Sequence, residues 1–391
     1  MFEGLTAALL AVLLLSFAFI DLELALDLGP WHANAPIADI AALGLLPIGA
    51  WTAWRGRAQS MPLRPWLAFV TACAMSLLVT RFPLDSLHFL VRKPLFMGVA
   101  YGVGVAGIVG SGLVTKQVVG RLLLAGVAIA AVLLLVASAH RIAAGGMLWW
   151  APIAGLTPNH KTLAVALAGT LPLVIGVATG TSPSRRAAIF VAAVAVLAIA
   201  ASLSKTAWIG AAFSVAWFLP RARPLGARPH IVVPALVLGL AAATVAPIIL
   251  GSKAMLDAAR SRHSLNKRSW HLFQTHPLVG AGAGVSTLVE AVTFPEYRVN
   301  GVDAHGALQK VGGETGALGL ATWCWFTGAT GLAMWRRRGD TPGSGLAWGC
   351  AGTFATLHLE LALSTEAFSP THWAPLALAW GLSLRVGDEP A

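Results

Sequence analysis

Long apolar runs separated by short polar links recur along the whole 391-residue chain. A helix needs about 20 apolar residues to cross a bilayer core of about 30 Å. The pattern therefore predicts an all-α polytopic membrane protein with about twelve transmembrane helices, the third and last of them short. The predicted spans lie near residues 5–24, 35–54, 65–80, 94–114, 121–139, 161–179, 186–203, 205–220, 231–250, 316–335, 344–363 and 371–386.

The chain contains one long polar segment, residues 251–315, which is too long for a connector and too polar to cross a membrane. It divides a single integral-membrane domain into residues 1–250 with spans one to nine, a large loop, and residues 316–391 with spans ten to twelve. Within the loop, residues 257–276 fit a helix with one apolar side, which Pro277 ends. Long loops in compact proteins tend to be functional or disordered. The composition disfavours disorder, so we expect a folded cap on the membrane surface.

Composition and charge placement agree with this interpretation. The chain is 57% hydrophobic and 11% charged, against about 25% charged residues in a soluble domain. The net charge of +11 does not indicate a nucleic-acid partner, because Lys and Arg lie mostly in short links between apolar runs. Their bias predicts both termini in the cytoplasm and residues 251–315 outside, which is the periplasm for a bacterial inner membrane. The first apolar run lacks a positively charged start and a cleavage site, so we expect a retained span.

The outer loop concentrates basic residues. Arg260, Arg262, Lys267 and Arg268 lie within nine residues of one another. Such a cluster either contacts lipid headgroups or binds a phosphate or pyrophosphate, for which the planar fork of arginine is well suited.

The nearby glycines, in "VGAGAGVS", do not have the spacing or the strand–helix context of a nucleotide-binding loop. Tight backbone turns explain them better.

The histidines of the loop have no metal-ligand spacing, and no cysteine lies beside them. The three cysteines each fall in an apolar run, where we expect buried thiols without a redox or metal role. We therefore expect no metal and no cofactor. His305, in "DAHGALQKVGGETGALG", is by itself a lone loop histidine, for which a structural or solvated role is the commoner outcome.

Four stretches together resemble the bacterial O-antigen ligase and polymerase superfamily. "HGALQKVGGETGALG" resembles that family's His-Asn-x-x-Leu…Glu-x-Gly-x-x-Gly signature, and "RSWHLFQTHPLVGAGAG" its Arg-x-Trp…Pro-x-x-Gly-x-Gly segment. "LSKTAWIG" (203–210) and "GLTPNHKTLA" (155–164) resemble two shorter family segments. Two positions depart from the pattern. Gly306 stands where Asn is usual, and Lys205 replaces a turn arginine, which keeps the charge but loses the bidentate fork.

The resemblance implies a glycosyltransferase that moves a glycan from undecaprenyl pyrophosphate to an acceptor hydroxyl, such as that of a lipid A-core oligosaccharide. It implies an inverting, metal-independent displacement at the periplasmic face. His305 and Arg268 are the expected catalytic residues, with His305 accepting or positioning the acceptor proton. We expect pyrophosphate binding by Lys205, Arg260 and Arg262, and supporting roles for Glu314, Trp270, Gly280 and Gly282.

Other functions stay open at this point. A polysaccharide polymerase differs only in using another lipid-linked glycan as acceptor. A transporter or lipid-glycan flippase predicts repeated halves and ionisable residues near mid-membrane, and the chain shows no repeat. His358 and Glu360, near the outer end of the eleventh span, are further ionisable groups at membrane depth, which are functional suspects by default, although they could instead pair with each other or with the loop. A membrane scaffold is the remaining alternative.

Overall fold

The computed structural model describes most of the chain as helices. The described residues are 2–16, 23–27, 32–56, 61–143, 160–179, 184–202, 204–222, 253–293, 306–338, 344–364 and 369–385. The predicted ninth span, 231–250, lies outside them. The helices are α1 (Phe2–Leu15), α2 (Ile37–Trp54), α3 (Leu63–Ser76), α4 (Pro83–Ser111), α5 (Lys116–Ala143), α6 (His160–Thr179), α7 (Arg185–Ala201), α8 (Lys205–Ala222), α9 (Lys253–Thr275), α10 (Ser286–Thr293), α11 (Ala307–Arg337), α12 (Gly345–Leu363) and α13 (Pro370–Ser383).

Among the described residues, five helices are long and apolar enough to cross a membrane. Apart from one short β-hairpin, the described residues are thus those of an α-helical membrane protein, and the fold-class prediction is confirmed in this coarser form. The predicted loop helix at 257–276 corresponds to α9. The five helices are Ile37–Trp54, Pro83–Ser111, Lys116–His140, Lys161–Thr179 and Gly345–Leu363.

A small antiparallel hairpin lies between α1 and α2. Strand β1 (Glu23–Asp27) pairs with β2 (His32–Pro36), with Glu23 opposite Pro36 and Asp27 opposite His32. The prediction that the first span continues to residue 24 is wrong at that end, because α1 ends at Leu15 and Glu23 already belongs to the strand. The acidic residues that begin and end β1 are costly inside a bilayer, which is a physical reason for the helix to end before them.

Helix α4 begins eleven residues before the predicted fourth span, with Pro83 in its first turn, where the missing N–H of proline costs nothing. It contains two π-helical segments, Val91–Leu95 and Met97–Val105. Pro94 lies in the first of them and removes one backbone donor from the helix interior. The Tyr101 hydroxyl donates a 2.8 Å hydrogen bond to Asp39 Oδ1 of α2. The buried tyrosine of α4 therefore supplies a donor to the carboxylate of α2.

An aromatic cluster joins α3, α11 and α13 in the core. The ring of Trp66, which is buried, lies 4.8 Å from Phe326 and 4.7 Å from Trp373 between centroids. Phe69 and Trp323 extend the cluster at 5.2 Å. Tilted and edge-on contacts of this kind are the favoured arrangement of aromatic rings. The cluster therefore fixes α11 against the two shorter helices.

Helices α6 and α12 approach closely because both carry glycines at their contact. A Cβ added to Gly176 would meet Gly345 O at 2.7 Å and Gly349 Cα at 3.1 Å. Small residues of this kind allow helix backbones to pack in membranes, where no hydrophobic effect drives association. A pair of hydroxyls, Ser214 Oγ and Thr356 Oγ1, at 3.1 Å, adds a polar contact between α8 and α12.

Both α6 and α8 run antiparallel to α12. Near the C-terminal end of α12, the Glu360 carboxylate occupies the space that a Cβ of Gly210 would need, and Leu357 occupies the space that a Cβ of Gly169 would need. Near its N-terminal end, Trp217 Nε1 of α8 donates a 3.1 Å hydrogen bond to Trp348 O. The N-terminal ends of α6 and α8 therefore lie beside the C-terminal end of α12.

The start of α11 lies at this same end of the bundle. A Cβ at Gly306 would be 3.2 Å from Ala362 O of α12, and one at Gly313 would be 3.0 Å from Ser269 O of α9. We call this the α9 end, defined by the first turns of α6, α8 and α11, the last turn of α12, and α9 itself. Three arginines, Arg336, Arg337 and Arg338, close α11 at the opposite end.

Candidate functional site

Helix α11 is broken near its start by one glycine. Gly316, the tenth residue of Ala307–Arg337, has φ 65° and ψ −163°, which is not a helical backbone conformation. This region of conformational space is open essentially only to glycine. The helix is therefore kinked at Gly316. At the kink, backbone N–H and C=O groups that a continuous helix would pair internally are left to bond elsewhere.

Those backbone groups are taken up by residues 277–284, which we call the glycine turn. Amide nitrogens of α11 donate to the turn, Ala317 N to Pro277 O at 2.8 Å and Leu318 N to Leu278 O at 3.1 Å. The turn donates in the other direction, Ala281 N to Gly313 O at 3.0 Å and Gly282 N to Glu314 O at 2.9 Å.

The approach of these two segments leaves no room for side chains at the contact. The backbone around Glu314 occupies the space that a Cβ of Gly280 would need, and Gly280 has φ 74°. A Cβ at Gly316 would lie 2.5 Å from Leu278 C. The two stretches that resemble a family signature in the sequence, separated by an intervening segment, are thus hydrogen-bonded to each other.

Glu314 ties the glycine turn to the helix through its side chain. It is 2% exposed. Its carboxylate accepts hydrogen bonds from Gly284 N at 3.0 Å and from Ser286 Oγ at 2.8 Å. Lys310 Nζ lies 3.9 Å from Glu314 Oε1, one turn earlier on the same helix. The ammonium group of Lys310 therefore offsets the charge of the carboxylate. Both carboxylate oxygens accept hydrogen bonds from the place where the glycine turn meets α10.

Replacing Glu314 by Gln is expected to loosen the glycine turn while the bundle stays folded. A hydrogen bond to a charged group contributes about 1.5–3 kcal/mol, roughly twice a neutral one. Amide exchange in residues 280–286, followed by mass spectrometry, is therefore expected to be about tenfold faster than in the wild type. The same substitution at the exposed Glu3 serves as the control. Unchanged exchange in the Glu314 variant would mean that the carboxylate does not hold the turn.

Arg268 lies on α9 with only 8% of its surface exposed. Its Nη2 donates to Ser264 Oγ at 3.4 Å, one turn earlier. The next residue, Ser269, lies against Gly313 of α11. A buried guanidinium is costly without partners, and its placement brings a fixed positive charge to the contact between α9 and the segment that carries Glu314.

Lys310 is a functional candidate that sequence reasoning missed. It is 7% exposed, lies beside Glu314, and its Nζ is 5.8 Å from the centroid of the Phe89 ring. The signal was its position four residues before Glu314, which places both on one face of a helix. Lys310 is thus a buried basic side chain of α11 itself, and Arg268 is one on α9, next to the residue that packs against Gly313.

The other expected residues of the glycine turn and α9 occupy different surroundings. Gly282 has φ 124° and lies against Thr80, and Ala283 N donates to Ser76 Oγ at 2.9 Å, which seats the turn on the end of α3. The ring of Trp270 is 57% exposed and stacks on Phe273 at 5.3 Å, outside the buried contact. Arg260 and Arg262 belong to α9, and their side chains lie outside the described part of the chain.

His305 also lies outside the described residues, which resume at Gly306. That glycine has φ 126° and is followed by the first turn of α11. Its place against Ala362 O puts the start of the described segment 306–338 beside the last turn of α12, at the α9 end.

Lys205 begins α8 at the same end of the bundle. Ser204 precedes it, and Ser204 O accepts the Trp208 amide at 2.9 Å, so the helix starts directly after the turn from α7. Helix α8 packs against α6 and α12, whereas Arg268 lies on α9, which packs against α11. Lys205 and Arg268 thus share the bundle end but belong to different helix contacts.

The two ionisable residues of α12 do not hydrogen-bond to each other in the described structure. His358 Nδ1 is 2.8 Å from Phe354 O. Glu360 is fully buried, and neither carboxylate oxygen has a hydrogen-bond partner among the described residues. His372 of α13, also buried, leaves its Nε2 without such a partner there. Ionisable groups placed this way in a membrane protein are functional suspects, and His372 was missed because a single histidine in an apolar run carries no pattern.

Among the described residues, no group of three or more His, Cys, Asp or Glu side chains is arranged to hold a metal ion. A scan of the chain against protein-family models gives no match, and a search of curated proteins finds none.

Proposed function

We propose that this chain is an integral-membrane glycosyltransferase of the O-antigen ligase type. It transfers a glycan from undecaprenyl pyrophosphate to an acceptor hydroxyl, with lipid A-core oligosaccharide as the acceptor class, at the periplasmic face of a bacterial inner membrane. The proposal rests on the resemblance of its sequence segments and on how the described residues of those segments meet.

The observation that carries the proposal is the backbone pairing between the glycine turn and the first part of α11. Four hydrogen bonds of 2.8–3.1 Å join the two segments, and the Glu314 carboxylate adds two more contacts. A reaction site needs groups held in place before the substrate arrives. A rigid junction at the membrane surface, with Arg268 buried beside it, supplies such a platform.

The chemistry required of the site is displacement at the anomeric carbon. The bond from C1 to the pyrophosphate oxygen breaks, and its electron pair leaves with the lipid pyrophosphate. The acceptor oxygen forms the new bond to C1 from the opposite face, and its proton passes to His305. Arg268 neutralises the charge that develops on the leaving oxygen, with Lys205, Arg260 and Arg262 binding the rest of the pyrophosphate.

Helix directions support an outward-facing α9 end. Basic residues start or close helices at the opposite end of the bundle, as Arg64 does in α3 and Arg336 in α11. Lys and Arg favour the cytoplasmic side of membrane proteins. We therefore propose that both termini lie in the cytoplasm. The apolar runs of the sequence give about twelve spans for the full chain.

Deleting the gene from its bacterial host gives the most direct test of this function. The expected result is long glycan that accumulates on the lipid carrier and none on the acceptor. Accumulation of single repeat units would instead identify a polymerase. Complementation with His305→Ala is expected to leave transfer at background with protein levels unchanged, whereas His263→Ala is expected to restore it. Wild-type transfer by a well-expressed His305→Ala protein would refute the assignment of His305.

A transporter or lipid-glycan flippase is the second candidate, and Glu360 is the observation that favours it. A fully buried carboxyl without a hydrogen-bond partner in the described structure is typical of ion-coupled sites. In the deletion strain this function predicts normal glycan on the acceptor and altered uptake, so the same experiment separates the two.

A further inference from the structure

A small cavity lies between α9 and the link from α3 to α4, outside the residues assigned to transfer. Its volume is about 210 Å³. The glycine turn contributes Ala281 to its wall, and α10 contributes Val289. The remaining lining residues are Val79, Arg81 and Phe82 on one side and His271, Leu272, Thr275 and His276 on the other.

The floor of the cavity is apolar and well packed. Leu272, Ala281 and Val289 are buried, and they form one hydrophobic cluster with Val285, against which Phe82 packs. Such a surface accommodates the flat, carbon-bearing face of a ring. The cluster is separate from the main core of the bundle, so the cavity belongs to the cap that α9, α10 and the glycine turn form.

The rim of the cavity is polar and basic. Arg81, His271 and His276 are exposed there. Thr275 Oγ1 lies 3.0 Å from His276 Nδ1, which fixes the orientation of that imidazole ring. An arginine fork and imidazole N–H groups are donors suited to a carboxylate or a phosphate. None of these rim residues carries a negative charge.

We propose that this cavity binds one acidic sugar unit of the glycan, a sugar that bears a carboxylate or a phosphate. The apolar floor contacts the ring, Arg81 binds the anionic group, and the histidines bind hydroxyls or the same anion. A volume of about 210 Å³ is below the 300–1,000 Å³ of sites for drug-sized ligands, and it suits a single ring.

The position of the cavity gives this sugar a role in selecting the substrate. Leu272 lies four residues after Arg268 on α9, which is just over one helical turn, or about 6 Å along the axis. This inference rests on the proposed function, because it places a sugar unit beside the pyrophosphate that Arg268 binds. The enzyme would then prefer glycans that carry an acidic sugar near the lipid carrier.

Binding to the purified full-length protein in neutral-lipid nanodiscs tests the proposal without any transfer reaction. Saturation-transfer NMR compares glucuronic acid and glucose 6-phosphate with glucose. We expect the two acidic sugars to bind and the signal for glucose to be at least about tenfold weaker, because the charge-assisted contacts are lost. Arg81→Gln and the double variant His271→Ala/His276→Ala are expected to remove the preference for acidic sugars.

Matched controls keep the result interpretable. Lys267→Ala and His263→Ala remove exposed basic and imidazole groups of α9 that do not line the cavity, and both are expected to bind as the wild type does. Arg81→Lys keeps the charge and is expected to retain part of the preference for acidic sugars. That result would mean that the Arg81→Gln protein loses binding through lost charge and not through misfolding.

Three results would overturn the cavity assignment. The first is equal binding of glucose and glucuronic acid, and the second is acidic-sugar binding that survives Arg81→Gln. The third is loss of the sugar signal when the nanodiscs contain phosphatidylglycerol, which would make the rim a lipid-headgroup site. None of these results bears on transfer in the complemented deletion strain, so failure of this inference and failure of the proposed function are distinguishable.

Discussion

Arg268→Ala is expected to lower glycan transfer by at least about 100-fold while the protein still inserts in the membrane. Removal of one prearranged donor from a site where charge develops costs about that much. Arg268 is a buried basic residue of α9, and its neighbour Ser269 lies against Gly313 of α11, so its charge acts in a poorly hydrated environment where it is worth most. Transfer to the acceptor in a complemented deletion strain, read from gel-separated lipopolysaccharide, measures the effect.

Two companion variants separate loss of charge from loss of structure. Lys267→Ala removes the adjacent, exposed basic side chain of the same helix and is expected to transfer normally. Arg268→Lys keeps a positive charge without the bidentate fork, and we expect activity between the wild type and Arg268→Ala. If Arg268→Ala transfers glycan at the wild-type rate, the leaving group is stabilised by other residues and the assignment of Arg268 is wrong.

Gly316→Ala is expected to cost about 2–4 kcal/mol of stability and to abolish transfer. At φ 65° and ψ −163° an alanine is strained whatever its neighbours. Its Cβ would also lie 2.5 Å from Leu278 C and 2.6 Å from Gly280 N, so the glycine turn would have to move away from α11. The four backbone hydrogen bonds at this junction would then lengthen or break.

Gly328→Ala, on the same helix, is the matched control. Gly328 is exposed and is in regular helix, and beyond the backbone of its own helix no atom lies within 4 Å of an added Cβ. Alanine there is expected to be neutral or to stabilise by about 0.5–1 kcal/mol. Thermal unfolding in detergent compares the two variants, and transfer in the complemented strain gives the second readout. Similar melting temperatures for both variants would show that the junction tolerates displacement and does not hold the site.

The sequence by itself predicts most of the helices, because each depends on a local run of apolar residues. Spans predicted at 161–179 and 344–363 correspond to α6 (His160–Thr179) and α12 (Gly345–Leu363). The end of α9 is equally local, since Pro277 cannot continue a helix that ends at Thr275. A charged segment after an apolar run is harder to assign, and the hairpin at 23–36 shows this, because strand pairing depends on a partner that hydropathy does not reveal.

The candidate site was only partly predictable. Arg268, Gly280, Gly282 and Glu314 were singled out from sequence motifs, but their mutual positions depend on contacts between segments far apart in the chain. The tenth span was predicted to begin at 316, whereas α11 begins at Ala307 and Gly316 is the point where the helix breaks. A glycine in a sequence indicates that an unusual backbone angle is possible, and only its neighbours decide whether that angle is used.

What the sequence determined about this protein is its class: an α-helical membrane protein with a polar, basic segment before α11. Local hydropathy and charge are sufficient for that, because the bilayer acts on each segment separately. The tertiary structure alone decided that the glycine turn hydrogen-bonds to residues 313–318, that Lys310 lies over the Phe89 ring of α4, and that Arg81 and two histidines line one cavity. These contacts join residues distant in sequence, and their energy exists only when the helices have packed.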